Sequence, residues 1–233
     1  TVNNLTAIDQ STDTCTNNSC VINVLDNYIA SSTFSEGNLK VVTNSGTYTW
    51  NTSTFGVANG KWYWEILVVG HTGSAAEPLI GIASKPTIST TAHLGSIAGT
   101  ISYADTGGAY VDGSNPNYGD TYTTNDIIGV ALDMDNSKIY FSKNGTFQNS
   151  GNPTSGATGT GALSISASST GFYFPAIGDY HSAGTSTFSM NFGSPPYAVS
   201  DPSSDANGYG AFDIDTVPSG YYALNTKNLA EYG

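Results

Sequence analysis

Apolar residues in this chain occur in short runs that alternate with a period of two, and segments rich in Gly, Asn and Asp separate the runs. The run at residues 62–69 places Trp62, Trp64, Ile66 and Val68 on one face of a strand and mostly apolar side chains on the other. A strand that is apolar on both faces is typical of a sheet centre covered on two sides. Because no helical pattern extends beyond about two turns, the sequence predicts an all-β chain.

A buried hairpin is predicted in the middle of the chain. Apolar runs at residues 128–133 and 138–142 flank a turn segment at 134–137, and an Asn-Gly turn follows at 144–145. Residues 186–193 alternate, with three large apolar side chains predicted to point inward and hydroxyl or amide side chains outward. This is the half-buried pattern of a strand in an antiparallel sheet.

Charge excludes several classes of partner. Only 10% of the residues are charged, and six basic residues, all Lys, oppose 18 acidic ones for a net charge of -12. Such a chain lacks the basic surface that neutralises phosphates and would be repelled by anionic lipid. No apolar run approaches the roughly 20 residues that cross a bilayer. We therefore expect no nucleic-acid partner and no membrane insertion.

Two cysteines, Cys15 and Cys20, enclose four polar residues near the start of the chain. They could form a small disulfide loop in an oxidising setting or remain free thiols in a cytoplasm, and the sequence favours neither. Structural zinc uses four ligands, and no second cysteine pair follows. We expect neither a metal nor a cofactor.

Candidate catalytic groups are few. Asp133 and Asp135 have a spacing that could suit glycoside hydrolysis, but they fall in the predicted hairpin turn, where Asp is a common turn residue. The same run lacks the Gly and the closing Glu of a calcium loop. Glu65 lies in the middle of a strand, so we expect it to form hydrogen bonds within the sheet. The sequence favours a chain that is not an enzyme, with a sandwich-fold glycosidase as the remote alternative.

Several motifs, in order along the chain, resemble those of the SPRY domain: Gly60–Ile66, Gly81–Ala83, the loop Tyr103–Gly119, the Asp133 hairpin, Tyr173–Ala176 and Asn191–Gly193. The resemblance implies an antiparallel β-sandwich of the concanavalin-like jelly-roll type. The sandwich is expected at residues 34–197. Residues 1–33 would form an extended N-terminal arm, and residues 198–233 a C-terminal extension that packs on the sandwich or on a neighbour.

The flanking segments resemble a narrower group. Thr16-Asn17-Asn18, residues 34–40 and residues 218–229 are similar to SPRY-containing structural proteins of tailed bacteriophages. This similarity implies a non-enzymatic component of the virion surface, in a tail fibre, a head fibre or the capsid surface. Its expected partners are other virion proteins and further copies of the same chain. A host-surface glycan or protein is a further candidate partner.

Tyr and Asn side chains on Gly-rich loops are candidates for ligand contact, because Tyr offers a rigid amphipathic surface at low entropic cost. The alternative is that these tyrosines pack against their own loops. A lectin-like adhesion module that binds carbohydrate is accordingly the second functional hypothesis. The candidate contact residues are Tyr110, Asn115, Tyr118, Tyr180 and His181.

Overall fold

The computed structural model describes residues 13–27, 31–44, 48–72, 77–89, 91–180, 183–213 and 217–233. Within them the chain forms fourteen strands and one α-helix. They are β1 (Thr33–Ser35), β2 (Lys40–Val42), β3 (Thr49–Thr52), β4 (Lys61–Thr72), β5 (Pro78–Ala83), β6 (Thr100–Ala104), β7 (Ala109–Val111), β8 (Ile127–Asp133), β9 (Lys138–Lys143), β10 (Thr146–Phe147), β11 (Leu163–Ser164), β12 (Phe174–Asp179), β13 (Thr185–Asn191), β14 (Tyr222–Ala223) and α1 (Thr226–Tyr232). No helix in these ranges is long and apolar enough to cross a membrane.

The strands form two sheets. The larger has nine strands in the order β1-β2-β13-β4-β8-β9-β10, with β11 on β9 and β14 on β4. The smaller has five strands in the order β3-β12-β5-β6-β7. Neighbouring strands are antiparallel except for β14, which pairs with β4 in parallel. The predicted all-β, antiparallel sandwich is confirmed.

The main core lies between the sheets. Trp62, Trp64 and Ile66 of β4 pack in one buried cluster with Ile80 of β5 and Ile177 of β12. Because side chains alternate along a strand, the large residues at every second position of β4 all enter this core. The strand lies between β13 and β8, so its predicted central position is confirmed.

Each sheet is also covered on its outer face. Tyr63 and Tyr140 of the larger sheet pack under Phe212 and Tyr221 of the C-terminal segment. On the smaller sheet, a second outer cluster unites Trp50, Leu79, Ala83, Ala104 and Ala176 with Ala92 and Leu94 of the segment between β5 and β6. These outer layers explain why the strands carry apolar side chains on both faces.

The predicted half-buried pattern of β13 is correct for one face only. Phe188 and Met190 enter the main core as expected. The polar face is buried near the end of the strand as well: Ser189 is 4% exposed, and the fully buried Asn191 donates through Nδ2 to Glu65 at 3.2 Å. The difference arises because Asn191 bonds to a buried carboxylate rather than to water.

The central hairpin is formed by β8 and β9. Asp135 lies in its turn as predicted, whereas Asp133 is the last residue of β8 and points its side chain at the turn. Asp133 is fully buried, accepts hydrogen bonds from the backbone N–H and Nδ2 of Asn136 at 3.0 and 2.8 Å, and pairs with Lys61 Nζ at 2.9 Å. Asp135 Oδ1 accepts a hydrogen bond from the Gly60 N–H at 2.8 Å. Both carboxylates therefore hold the turn against the start of β4.

The terminal segments pack on each other. The Cys20 N–H donates to the Leu224 carbonyl, and the Thr226 N–H donates to the Asn18 carbonyl, both at 3.0 Å. Asn17 Oδ1 accepts a hydrogen bond from the Lys227 N–H at 3.2 Å. The two sequence motifs that flank the sandwich thus form one structural unit beside β14 and α1.

A buried carboxylate organises the C-terminal part of this unit. Asp205 Oδ1 accepts hydrogen bonds from the backbone N–H groups of Asn207 and Tyr209, both at 2.9 Å. Its Oδ2 accepts from the Ala223 N–H at 2.9 Å and from Asn228 Nδ2 at 2.8 Å. The Asp205 side chain therefore forms hydrogen bonds with its own loop, with β14 and with α1.

Both cysteines are free thiols in the structure. Cys20 is fully buried, and its Sγ lies 3.7 Å from Thr54 Oγ1. Burial raises the pKa of this thiol. Cys15 is exposed in a turn. Of the two alternatives left open by the sequence, the structure contains the unlinked pair.

Candidate binding surface on the smaller sheet

Two of the predicted contact residues, Tyr110 and Tyr180, stack on each other. Their ring centroids are 5.5 Å apart and their planes differ by 10°. Tyr110 lies on β7 and Tyr180 directly follows β12, so β5 and β6 separate their backbones. The rings reach towards each other along the outer face, over the cluster that contains Leu79 and Ala104. Tyr110 was expected in a long loop, but β7 fixes its direction.

Two further rings complete the surface. The His93 ring centroid is 4.7 Å from that of Tyr110 and 4.4 Å from that of Tyr180. Thr49 of β3 pairs with Asp179 of β12, so the residues that adjoin this pair, Tyr48 and Tyr180, lie opposite each other. The ring centroids of Tyr48 and Tyr180 are 6.0 Å apart. We call Tyr48, His93, Tyr110 and Tyr180 the aromatic patch. All four are half-buried, so each ring combines an anchored part with a part open to solvent.

A glycine allows the covering segment to approach the patch. Gly95 has φ +92°, and a Cβ at this position would lie 2.4 Å from Tyr110 Cβ. Its N–H donates to Thr100 Oγ1 at 2.9 Å, and Ser96 Oγ donates to the His93 carbonyl at 2.6 Å. Only glycine permits both this conformation and this contact at low cost. The turn places His93 against the two stacked tyrosines.

Acidic groups border the patch on one side. The Tyr180 N–H donates to the Glu77 carbonyl at 3.0 Å, which places Glu77 beside Tyr180 across the strand pair. The Asp105 N–H donates to the Pro78 carbonyl at 3.3 Å, and its Oδ1 is buried without a hydrogen-bond partner. Burial, together with the charges of Glu77 and Asp179, raises the pKa of Asp105 to about 7. Burial and the nearby Glu77 raise the pKa of Tyr110 to about 12.

Comparison with known proteins identifies the sandwich. Residues 61–195 match the family model of the SPRY domain, over more than half of the chain. The chain belongs to the SPRY domain family. Three of the four patch residues lie inside the matched region, and Tyr48 precedes it. SPRY domains are generally protein-interaction modules.

Two similar proteins illustrate the extent of the match. The crystal structure of the SPRY domain of human HERC1 superposes with a TM-score of 0.52 at 17% identity, covering 68% of this chain and 91% of that one. This likeness concerns the fold. The ATP-dependent RNA helicase DDX1 of Xenopus laevis is 34% identical over 93 residues, which are 40% of this chain and 12% of that protein. The similarity is thus confined to a small part of the helicase.

The other three predicted contact residues lie outside the aromatic patch or outside the described residues. Tyr118 is 5% exposed, and its hydroxyl accepts a hydrogen bond from the Phe141 N–H at 3.1 Å. It packs edge-on against Tyr103 in the main core, so its assignment as a surface contact is wrong. Asn115 is exposed on the loop after β7. His181 lies outside the described residues.

Sequence reasoning missed Tyr48, His93 and Glu77 as members or neighbours of this surface. Tyr48 is two residues from Trp50, and this spacing places both side chains on the same face of a strand. The spacing does not show which other residues Tyr48 contacts. His93 carries no such signal, because nothing in its local sequence shows that the segment folds back onto β7. These contacts depend on strand register and loop path.

Other polar groups of the SPRY sandwich serve its architecture. Glu65 is buried and accepts hydrogen bonds from Tyr63 Oη and Asn191 Nδ2, both at 3.2 Å, and from the Asp213 N–H at 2.8 Å. The prediction that it bonds within the sheet is confirmed. The described ranges hold no cluster of three or more His, Cys, Asp or Glu side chains suited to a metal ion.

A separate cleft of about 240 Å³ lies where the terminal segments meet, and Asn17, Tyr209 and Asn225 contribute to its lining. Two of its polar side chains, those of Asn17 and Asn225, take part in internal hydrogen bonds. Asn225 Oδ1 accepts from the Asn228 N–H at 3.0 Å and caps α1, while Asn17 Oδ1 accepts from the Lys227 N–H at 3.2 Å. The aromatic patch is therefore the better candidate for contact with another molecule.

Proposed function

We propose that this SPRY chain is a non-enzymatic structural protein of a tailed-bacteriophage virion. It would serve as a surface appendage or decoration component and assemble through protein–protein contacts. The observation that carries the proposal is the packing of the two flanking motifs, through Asn17, Asn18 and Thr226, into one unit on a SPRY sandwich. The sequences of these motifs are the ones that resemble phage structural proteins, and their mutual contacts give them a common structural role.

The carboxylates that came closest to a catalytic pattern support a non-enzymatic role. Glycoside hydrolysis needs two carboxyl groups that can reach the glycosidic bond or the attacking water. Both oxygens of Asp133 are engaged by Asn136, and Lys61 also contacts Oδ2. Asp135 binds the backbone of Gly60. Hydrogen bonds that hold the turn explain this pair without catalysis.

Electron microscopy of intact particles tests the proposal. Antibodies raised against the recombinant chain should label the surface of purified particles of the phage that encodes it, and mass spectrometry should find the chain in those particles. Pre-incubation of the antibody with the recombinant chain should abolish the labelling. Purified particles without the chain would overturn the proposal.

Self-association is part of the proposed role, and the N-terminal segment offers a contact. Leu25 is 84% exposed and Val24 is 41% exposed, so apolar surface points outward from this arm. The full chain should form a stable oligomer in light scattering after size exclusion, and Leu25→Ser should weaken it. Ile88→Ser is the matched control, because Ile88 is also exposed, at 54%, but lies on the segment over the smaller sheet. A monomeric full chain would contradict this part of the proposal.

Carbohydrate binding is the second candidate function, and the half-exposed stacked pair of Tyr110 and Tyr180 favours it. Tyrosine faces pack against sugar rings, and acidic groups accept hydrogen bonds from hydroxyls. A glycan array should then give signals that Tyr110→Ala and Tyr180→Ala each abolish, whereas Tyr209→Ala, on the other side of the molecule, leaves them unchanged. An array without signals would reject this candidate.

A further inference from the structure

The aromatic patch has the electrostatics of a cation site. Aromatic rings carry negative charge on their faces, and a Lys or Arg group within about 6 Å of a ring centroid is attracted to it. The chain already uses this interaction elsewhere: Lys227 Nζ lies 5.6 Å from the ring centroid of Tyr209. In the patch, four rings converge, with neighbouring centroids 4.4 to 6.3 Å apart. A guanidinium plane could stack on such a surface.

The Glu77 carboxylate beside the rings favours positive charge. Glu77 lies across the strand pair from Tyr180, and Asp105 follows β6, whose residue Ala104 is in the same outer cluster as the rings. Burial is the main cause of the raised pKa of Tyr110, and the charge of Glu77 raises this pKa further, which shows that the field of Glu77 reaches the ring. A cation gains charge–charge attraction from this field, which a neutral ligand does not.

The net charge of the whole chain also favours a positively charged partner. With a net charge of -12, the protein attracts basic partners at long range and repels acidic ones. The segment between β5 and β6, which covers the smaller sheet, contains Lys85. The backbone carbonyl of Lys85 accepts a hydrogen bond from Trp50 Nε1 at 3.1 Å.

We infer that the aromatic patch binds a lysine or arginine side chain presented by a neighbouring virion protein, with the cation over Tyr110 and Tyr180 and beside Glu77. This inference rests on the proposed protein-binding function and adds the chemistry of the partner. A protein segment is favoured over a neutral glycan because the acidic border rewards positive charge, and because SPRY domains mediate protein contacts.

The test uses the full chain and two short peptides. The probe is an acetylated and amidated Gly-Arg-Gly-Arg-Gly peptide, and its matched control replaces arginine by citrulline, which keeps the shape and removes the charge. In an NMR titration the arginine peptide should bind at least about fivefold more tightly, and the resonances of Tyr110, Tyr180 and His93 should shift most. Higher salt should reduce the difference. Equal binding of the citrulline peptide, or shifts centred elsewhere, would overturn the inference.

Four variants locate the site. Tyr110→Leu and Glu77→Gln should each weaken arginine-peptide binding by about fivefold or more. Tyr209→Leu removes a ring whose face Lys227 already approaches, and the exposed Asp201→Asn removes a charge elsewhere, so both should bind within about twofold of the native chain. Unchanged backbone amide spectra away from the substitution will show that each variant is folded.

The outcomes separate this inference from the proposed function. If the chain is present in particles but shows no preference for arginine over citrulline, the cation site is wrong and the virion role stands. If the chain is absent from particles yet binds arginine peptides at the patch, the virion role is wrong and the cation site stands. Tight binding of a neutral glycan at the same rings, with no charge preference, would replace the inference by the lectin-like function.

Discussion

Asp26 provides a quantitative test of how the N-terminal segment docks on the sandwich. The residue is 4% exposed, and its Oδ2 accepts hydrogen bonds from the Thr52 N–H at 2.8 Å and from Thr52 Oγ1 at 2.6 Å. Its Oδ1 is buried without a partner. Burial raises the pKa of this carboxyl from 3.8 to about 6, because the two hydrogen bonds only partly replace the lost water. A charged Asp26 is therefore costly to the folded state.

The sign and size of the effect follow from linkage. Since the folded pKa lies above the unfolded one, the stabilisation from the bound proton is complete below about pH 4 and is lost as the pH rises through about 6. A difference of about 2.2 units at 1.36 kcal/mol each corresponds to about 3 kcal/mol as an upper value. The native chain should lose up to this amount between pH 4 and pH 8 through this one group.

Asp26→Asn removes the titration and keeps the shape. Urea unfolding, followed by the fluorescence of the buried Trp50, Trp62 and Trp64, should show the free energy of unfolding of the variant gaining up to about 3 kcal/mol on the native chain from pH 4 to pH 8. An unpaired amide N–H would add a cost of about 1–3 kcal/mol that does not depend on pH. The pH dependence of the difference is therefore the readout.

The exposed Asp201→Asn is the control and should show no comparable slope. If the difference in free energy of unfolding between Asp26→Asn and the native chain is the same at pH 4 and pH 8, or moves against the variant as pH rises, burial does not raise the pKa of Asp26 in the folded chain.

Three further predictions concern the thiols, the C-terminal unit and the covering segment. Cys15 should react with a thiol reagent at once, and the buried Cys20 only on unfolding, because its Sγ is shielded and its pKa is raised. Asp205→Ala should lower the free energy of unfolding by at least about 3 kcal/mol in urea unfolding, because it leaves buried donors unpaired. Gly95→Ala should lower the melting temperature in calorimetry and alter the Tyr110 ring resonances, since it forces both backbone strain and a 2.4 Å contact.

Each of these has a decisive contrary result. Two unreactive thiols that become reactive only after reduction would show a disulfide. Stability equal to that of Asp201→Ala would remove the organising role assigned to the Asp205 carboxylate. A Gly95→Ala variant with native melting temperature and native ring resonances would show that the segment can adapt, and that the glycine is not required to place His93.

The sequence predicted those parts of the fold whose signals are local. The central strand β4 shows its two buried faces through continuous apolar residues, and the hairpin of β8 and β9 is marked by turn residues at Asp135 and Asn144. Each signal lies within a few residues of the structure it specifies. The burial of the polar face of β13 was not predictable in this way, because Asn191 meets Glu65 only through the pairing of β13 with β4.

The candidate site was predicted in part, for the same reason. Tyr110 and Tyr118 lie in one Gly-rich stretch with similar local sequence, yet the first borders the surface and the second fills the core. Their directions depend on the short strand β7 and on the path of the loop that follows it. Tyr48 and His93 contact the other patch residues across segments that are far apart in the sequence. The local alternation of apolar and polar residues does not show which distant segments will be in contact.

A density map of the intact phage particle at side-chain resolution would show both the location of the chain and the occupant of the aromatic patch. We expect the SPRY sandwich to lie on the virion surface, with a lysine or arginine side chain of a neighbouring virion protein over Tyr110 and Tyr180, beside Glu77. A map without this chain, or one in which every copy of the patch faces solvent while other surfaces form the contacts, would contradict this expectation.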